Sequence, residues 1–221
     1  MKQFYNVFSD EKVSALWTQL TWSHIRLLFS LDYECVNYYI NVIVTQHISV
    51  RELESKIKSN EFERLSDDTK KKLMTKEKLE INDLIPNPIL INNNYKYEIL
   101  SEKILQKLIL EDIPSFLKEL GNGFTFVENE YRINLGDKYN YIDMLFFNVE
   151  YNCYVVVELK VTELKKEHIG QIQVYMNYIN ENLKKFNHEK TIGIIICKQD
   201  NKYVIKYCSD DRIIAREYVI I

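Results

Sequence analysis

The stretch that most constrains this chain is "CYVVVELKV" (residues 153–161), with "ELKKEHIGQIQVYMNYINENLKKF" and then "TIGIIICK" after it. The first and last are short apolar runs rich in β-branched residues, the pattern of buried strands. Between them Ile169, Ile172, Met176, Ile179 and Leu183 recur at spacings of three and four, which makes one apolar stripe on a helix lying on a sheet. Strand, helix and strand at this length form a right-handed crossover between parallel strands. The C-terminal half is therefore expected to be α/β.

Around that unit the periodicity is mixed. "FTFVENEYRINL", "YIDMLFFNV" and "KYVIKYC" also read as strands, with antiparallel strands first and the parallel pair after them. "YEILSEKILQKLILEDIPSFLKEL" (97–120) reads as a helix that Pro114 restarts or kinks and that Gly121 and Gly123 end. Upstream, "VSALWTQLTWSHIRLLFSL" and "YECVNYYINVIVTQ" carry helical apolar spacing, interrupted near Thr21 and Ser23. "SVRELESKIKSNEFERL" opens on Ser49 with Glu52 three residues later, a capping-box spacing. The charged run from Ser66 to about Glu80 reads as a solvated face or linker. The strongest break is "LIPNPILINNN". The expected organisation is an all-helical domain over 1–85 and, over 86–221, an α+β or α/β domain with a mixed central sheet flanked by helices. For 221 residues that is an ordinary division.

Several classes are excluded early. A net charge of −3 does not advertise a nucleic-acid partner, so any DNA contact must use a local basic patch or bridging metal ions. Four cysteines without a CxxC pair argue against zinc and suit reduced, structural thiols in the cytoplasm. No apolar stretch reaches the roughly 18 residues of a membrane span. No glycine-rich phosphate loop points to a nucleotide cofactor.

The polar residues inside "CYVVVELKV" need an explanation. Side chains alternate along a strand, so Glu158 and Lys160 share a face. If "YIDMLFFNV" pairs with this strand through a hairpin centred on Glu150 and Tyr151, facing residues sum to 301. Asp143 then opposes Glu158, with Cβ atoms about 4.5–5.5 Å apart. Two carboxylates that close are costly inside a protein unless a cation joins them. Such oxygen ligands, with water and substrate phosphate, are what Mg²⁺ or Mn²⁺ accepts. Lys160 adds a mobile positive charge for a water or a phosphoryl oxygen. The plainer alternative is a surface hairpin with an ordinary cross-strand ion pair.

The stretch "YNYIDMLFFNVEYNCYVVVELKV" resembles the PD-(D/E)xK nuclease signature, with Asp143 as its acid and "ELK" as its E-x-K. Together with "FLKELGNGFTFVENEYRINLGDKYNYIDMLFFN", "ELKVTELKKEHIGQIQVYMNYIN" and "TIGIIICK", it is similar to the bacterial YhcG-like family. "LTWSHIRLLFSL" and "SVRELESKIKSNEFERL" resemble that family's N-terminal domain. The resemblance implies a restriction-endonuclease-like core and metal-dependent hydrolysis of DNA phosphodiesters, in restriction, defence or DNA processing. The alternative is a catalytically silent nucleic-acid-binding or assembly module that keeps the fold. Carried over, Asp143 and Glu158 hold the metal and Lys160 assists the water. Gln173 and Tyr175 match the family's Gln-x-Tyr on the crossover helix, with Gln171 as the alternative glutamine. Where related nucleases add a further Glu, this chain has Gln106, between Glu102 and Glu111. The substrate is expected to be duplex or branched DNA, and a homodimer would suit double-strand cleavage.

Weaker candidates lie upstream. His24 and Arg26 fall in the N-terminal family pattern, His24 as a DNA contact or an internal hydrogen bond. Arg51, Lys56 and Lys58 would face phosphates if "SVRELESKIKS" were a recognition helix. An assembly surface is the other reading of that helix.

Overall fold

A computed structural model describes residues 20–75, 77–94, 96–97, 101–208 and 210–221. The apolar segment at 13–19, the helical reading of residues 98–100 and the Cys208 side chain lie outside the described residues. The chain divides into two compact units, residues 1–78 and 79–221. The "LIPNPILINNN" break falls inside the second.

The first unit is helical. Thr21 caps α1 (Trp22–Leu28), and Asp32 precedes α2 (Tyr33–Gln46). Ser49 and Glu52 cap each other across the start of α3 (Val50–Lys58), the arrangement expected from their spacing. The charged run, read as a solvated face or linker, contains α4 (Asp67–Thr75), with Asp67, Asp68 and Lys71 exposed. It is anchored because Thr69 is buried and shares a 2.9 Å hydrogen bond with Ser66, its neighbour one turn earlier. Ile25, Leu28, Tyr39, Ile43, Leu53 and Phe62 form the core of this unit.

The second unit is a three-layer α/β/α sandwich. Its elements run α5 (Ile81–Leu84), β1 (Ile89–Ile91), α6 (Glu102–Glu111), α7 (Ile113–Leu120), β2 (Phe124–Leu135), β3 (Lys138–Asn148) and β4 (Cys153–Glu163). They continue with α8 (Lys166–Asn182), β5 (Ile192–Gln199), α9 (Lys202–Cys208) and β6 (Ile213–Ile220). The sheet order is β1-β6-β5-β4-β3-β2; β1, β6, β5 and β4 are parallel, and β3 and β2 antiparallel. One face packs Val155, Val157 and Leu159 against Leu105, Leu108 and Phe116 of α6 and α7. The other packs Val156 and Ile195 against Ile169, Ile172 and Met176 of α8.

One strand expectation needs correction. "KYVIKYC" is helix α9, because β5 and β6 are parallel neighbours and the chain must return between them by a crossover. Val204 and Ile205 pack toward the α8 layer, while Tyr203 and Tyr207 stay exposed. The missing strands are β6, whose Ala215, Arg216 and Glu217 interrupt its apolar run, and the three-residue β1. The helical stretch 97–120 is restarted at Pro114, as expected, and forms α6 and α7. Asp112 ends α6 and caps α7, accepting from Ser115 N–H at 3.3 Å, with Pro114 in the first turn.

The β3–β4 hairpin has the expected register, with Met144 opposite Val157 and Phe146 opposite Val155. Asn148 fixes it. Its buried Oδ1 accepts from the amides of Glu150 and Tyr151, both at 3.0 Å, and its Nδ2 donates to Asn122 carbonyl at 3.0 Å.

Candidate active site

Backbone pairing between β3 and β4 stops at Met144 and Val157. One residue further on, side chains take over the ladder. Asp143 N–H donates to Glu158 Oε1 at 3.3 Å, and Leu159 N–H donates to Asp143 Oδ2 at 2.8 Å. Each carboxylate thus satisfies an amide of the strand opposite, and the strands part around the two acids. On β2, facing this point, Glu130 adopts a left-handed conformation (φ 49°) between the paired residues Asn129 and Tyr131.

Glu158 is 1% exposed and Lys160 7%. Lys160 Nζ lies 3.3 Å from Glu158 Oε2 and 3.9 Å from Glu102 Oε2 at the start of α6. Burial, and then the charge of Asp143, push the Glu158 carboxyl up to about 7; Lys160 and the Asp143 amide pull the other way. Burial likewise raises Asp143, against the Leu159 hydrogen bond and Lys160. The two acids form a coupled pair that resists double ionisation. A hard divalent cation relieves that repulsion. Two carboxylates completed by water and substrate oxygens make a donor set that fits Mg²⁺ or Mn²⁺. Among the described residues no group of three or more His, Cys, Asp or Glu side chains is arranged to hold a metal alone.

Side chains of α6 and α8 frame the site. Gln106 is buried on α6, and its Nε2 donates to the Asp143 carbonyl at 2.8 Å. The amide at the position where an acid was sought therefore holds the backbone of Asp143. Glu102, one turn earlier, reaches Lys160, whereas Glu111 pairs with Lys107 at 3.7 Å. On α8, Tyr175 is buried, its phenol raised by burial, with smaller opposing effects from Glu158 and Lys160. Gln171 Nε2 donates to Tyr175 Oη at 3.0 Å. His168, one turn before Gln171, is lowered by burial and then by the charge of Lys160. Gln173 lies about 200° around the helix from both Gln171 and Tyr175, on the other flank of the apolar stripe. The structure thus gathers Asp143, Glu158, Lys160, Tyr175 and Gln171 and sets Gln173 apart. His168, isolated in the sequence, falls seven residues before Tyr175 on the same helix face, and its Nδ1 accepts from Lys165 N–H at 3.2 Å.

The upstream candidates form no second cluster. His24 is buried, and its Nδ1 accepts from Thr21 N–H at 3.3 Å, so it caps α1 from inside the unit. Lys56 is tied to Glu61 at 2.7 Å and Lys58 to Glu54 at 2.9 Å. Arg26 and Arg51 are exposed.

Comparison with known proteins agrees with this architecture. Residues 87–220 match the family described as the YhcG PDDEXK nuclease domain, and residues 1–64 match the DUF1016 N-terminal domain. The YhcG protein of Escherichia coli (strain K12) is 27% identical over 183 residues, which is 80% of this chain and 49% of that protein. The chain thus spans about half the length of the curated relative it matches. Among solved structures, a repair endonuclease from Pyrococcus abyssi is 21% identical, with a TM-score of 0.39, over 55% of this chain and 48% of that one. EndoMS in complex with dsDNA is 19% identical, with a TM-score of 0.38, over 58% and 48%. The second unit has the restriction-endonuclease-like fold: a mixed six-stranded sheet between helices, preceded by a helical region. With more than half of its residues matched by that nuclease domain, the chain belongs to the YhcG PDDEXK nuclease family.

Proposed function

We propose that this protein is a metal-dependent endonuclease that hydrolyses phosphodiester bonds of DNA, a Mg²⁺- or Mn²⁺-dependent deoxyribonuclease of restriction, defence or DNA processing. The observation that carries it is the convergence of Asp143 and Glu158 where β3 and β4 part, with Lys160 Nζ 3.3 Å from Glu158. Asp143 and Glu158 would hold the cation. When bound, it supplies a polarised phosphoryl oxygen and a water acidic enough to ionise near neutral pH. Lys160, restrained by Glu158 and Glu102, presents a positive charge to the attacking water and to the charge growing on the phosphoryl oxygens. Gln106 holds the Asp143 backbone in place, and the Gln171–Tyr175 pair closes the α8 side of the site. Gln173 keeps a place only as a phosphate contact from the far flank of α8.

The helical first unit serves recognition, of DNA or of a protein partner, with Arg26 and Arg51 among its exposed cations. A homodimer would bring two such sites to opposite strands of a duplex. Buried free thiols at Cys35, Cys153 and Cys197 suit the reducing cytoplasm. No helix among the described residues is long and apolar enough to cross a membrane.

Purified protein with Mg²⁺ or Mn²⁺ is expected to nick or cut plasmid or branched DNA, and Glu158→Gln and Lys160→Ala to lose that activity. Equal cleavage by all three proteins would refute the assignment.

A further inference from the structure

β3 leaves β4 at Met144, but its pairing with β2 runs on. Tyr131 faces Ile142, Arg132 faces Tyr141, Ile133 faces Asn140 and Asn134 faces Tyr139. The β2–β3 hairpin therefore continues past the sheet as a two-stranded arm that starts at Asp143. One side of the arm is used for packing. Ile133 and Ile142 are fully buried in the core shared with α8, and Tyr131 packs against it. The alternate residues have no such cover. Tyr139 is 61% exposed and Tyr141 54%, and the Arg132 guanidinium lies 5.0 Å over the Tyr139 ring. One face of that ring is backed by a cation and the other is open.

The placement of exposed aromatic rings points the same way. Among the described residues of the second unit, the strongly exposed tyrosines are Tyr139 and Tyr141 on the arm and Tyr203 and Tyr207 on α9. Helix α9 comes after the end of β5 that lies beside Glu158 and Lys160. Phe186, fully exposed, sits at the opposite end, in the loop that enters β5.

We infer that the arm binds unpaired nucleotides beside the phosphodiester held at Asp143 and Glu158, so that the substrate class is DNA with a single-stranded segment at a flap, branch or bubble. This rests on the nuclease function proposed above. Ring faces stack on bases only where base faces are uncovered, and in a duplex they are not. Duplex and single-strand binding both neutralise phosphates, so with a net charge of −3 it is the exposed rings that distinguish the two. Side chains two apart on one strand face are roughly 7 Å from each other. Tyr139 and Tyr141 can therefore meet neighbouring bases of a splayed strand, while Arg132 offers its charge between them.

The test uses the full chain carrying Glu158→Gln, in EDTA, and fluorescence anisotropy with a fluorescein-labelled flap duplex and the matching blunt duplex. The parent should prefer the flap. Tyr139→Ala and Tyr141→Ala should each weaken flap binding about tenfold, and the pair should abolish the preference. Tyr139→Phe and Tyr141→Phe should retain it, and Phe186→Ala should leave both affinities unchanged. Melting temperatures verify that every variant is folded. Equal binding of flap and blunt duplex by the parent, or flap affinities of the alanine variants within twofold of it, would overturn the inference. The two proposals fail separately. Cleavage by the wild type in Mg²⁺ with no dependence on the arm removes the arm alone. Flap binding that depends on the tyrosines, in a protein that cuts neither substrate, removes the nuclease function alone.

Discussion

Replacing Glu158 by Gln tests whether two buried acids really share this site, through the stability of the metal-free protein. A carboxyl whose midpoint rises from the ordinary 4.5 to about 7 on folding binds protons more tightly in the folded than in the unfolded state. Its effect on stability is therefore fully favourable only at low pH. Stability falls as pH climbs from the unfolded midpoint through the folded one. At 1.36 kcal/mol per pH unit, ionised Glu158 costs the fold about 3 kcal/mol above neutrality. Between about pH 8 and pH 6 the wild type should regain roughly 1 kcal/mol from this group, a few degrees in melting temperature. The assay is thermal unfolding of wild type and Glu158→Gln in EDTA across that range. The difference between the two profiles isolates Glu158 from groups that titrate in both. A slope present in the wild type and missing in the variant is expected. Adding Mg²⁺ at the upper pH should raise the wild-type melting temperature and leave the variant unmoved. Parallel profiles for the two proteins would refute the burial of Glu158 beside Asp143 and, with it, the reason a cation is needed.

Lys160→Ala should lower cleavage about 100-fold or more while the Mg²⁺-induced rise in melting temperature survives, because the carboxylates remain. Gln106→Leu leaves the Asp143 carbonyl without its 2.8 Å donor. A loss of about 1–3 kcal/mol in denaturant titration and weaker cleavage should result. Gly193→Ala would set a methyl 2.6 Å from Met176 Sδ and 2.8 Å from Ile172 Cδ1, where β5 meets α8. Overpacking of about 1–3 kcal/mol should appear in the same titration.

Much of the second unit is legible because its signals are local and repeated. The β4–α8–β5 crossover is readable from a β-branched run, a stripe at three and four, and a second apolar run. The hairpin register comes from a short turn that Asn148 closes, and with it the meeting of Asp143 and Glu158. The losses have physical causes. In "KYVIKYC" the adjacent pair Val204–Ile205 suits a strand or a short amphipathic helix equally, and only the parallel neighbours β5 and β6 decide. In β6, Arg216 looks foreign to a strand because its partners are far away: it donates to Ile85 carbonyl at 2.9 Å and to Asn82 carbonyl at 2.7 Å. Gln171 and Gln173 stand four and two residues before Tyr175, so helical spacing puts only Gln171 on the Tyr175 flank, and it is the structure that shows which flank of α8 borders the parted strands. Gln106 resembles a lost acid until its backbone partner is seen.

The sheet of the second unit is closed by its two extremes. Ile89 pairs with Tyr218 and Ile91 with Ile220, while Arg216 ties down the segment before β1. A ribosome delivers residues in order, so β1 waits for its partner until nearly the whole unit has emerged. A growing chain therefore carries Asp143, Glu158 and Lys160 well before it can complete the framework that supports them. Fragments of this nuclease domain that stop short of β6 would lack the partner of β1 and the Arg216 tie with it.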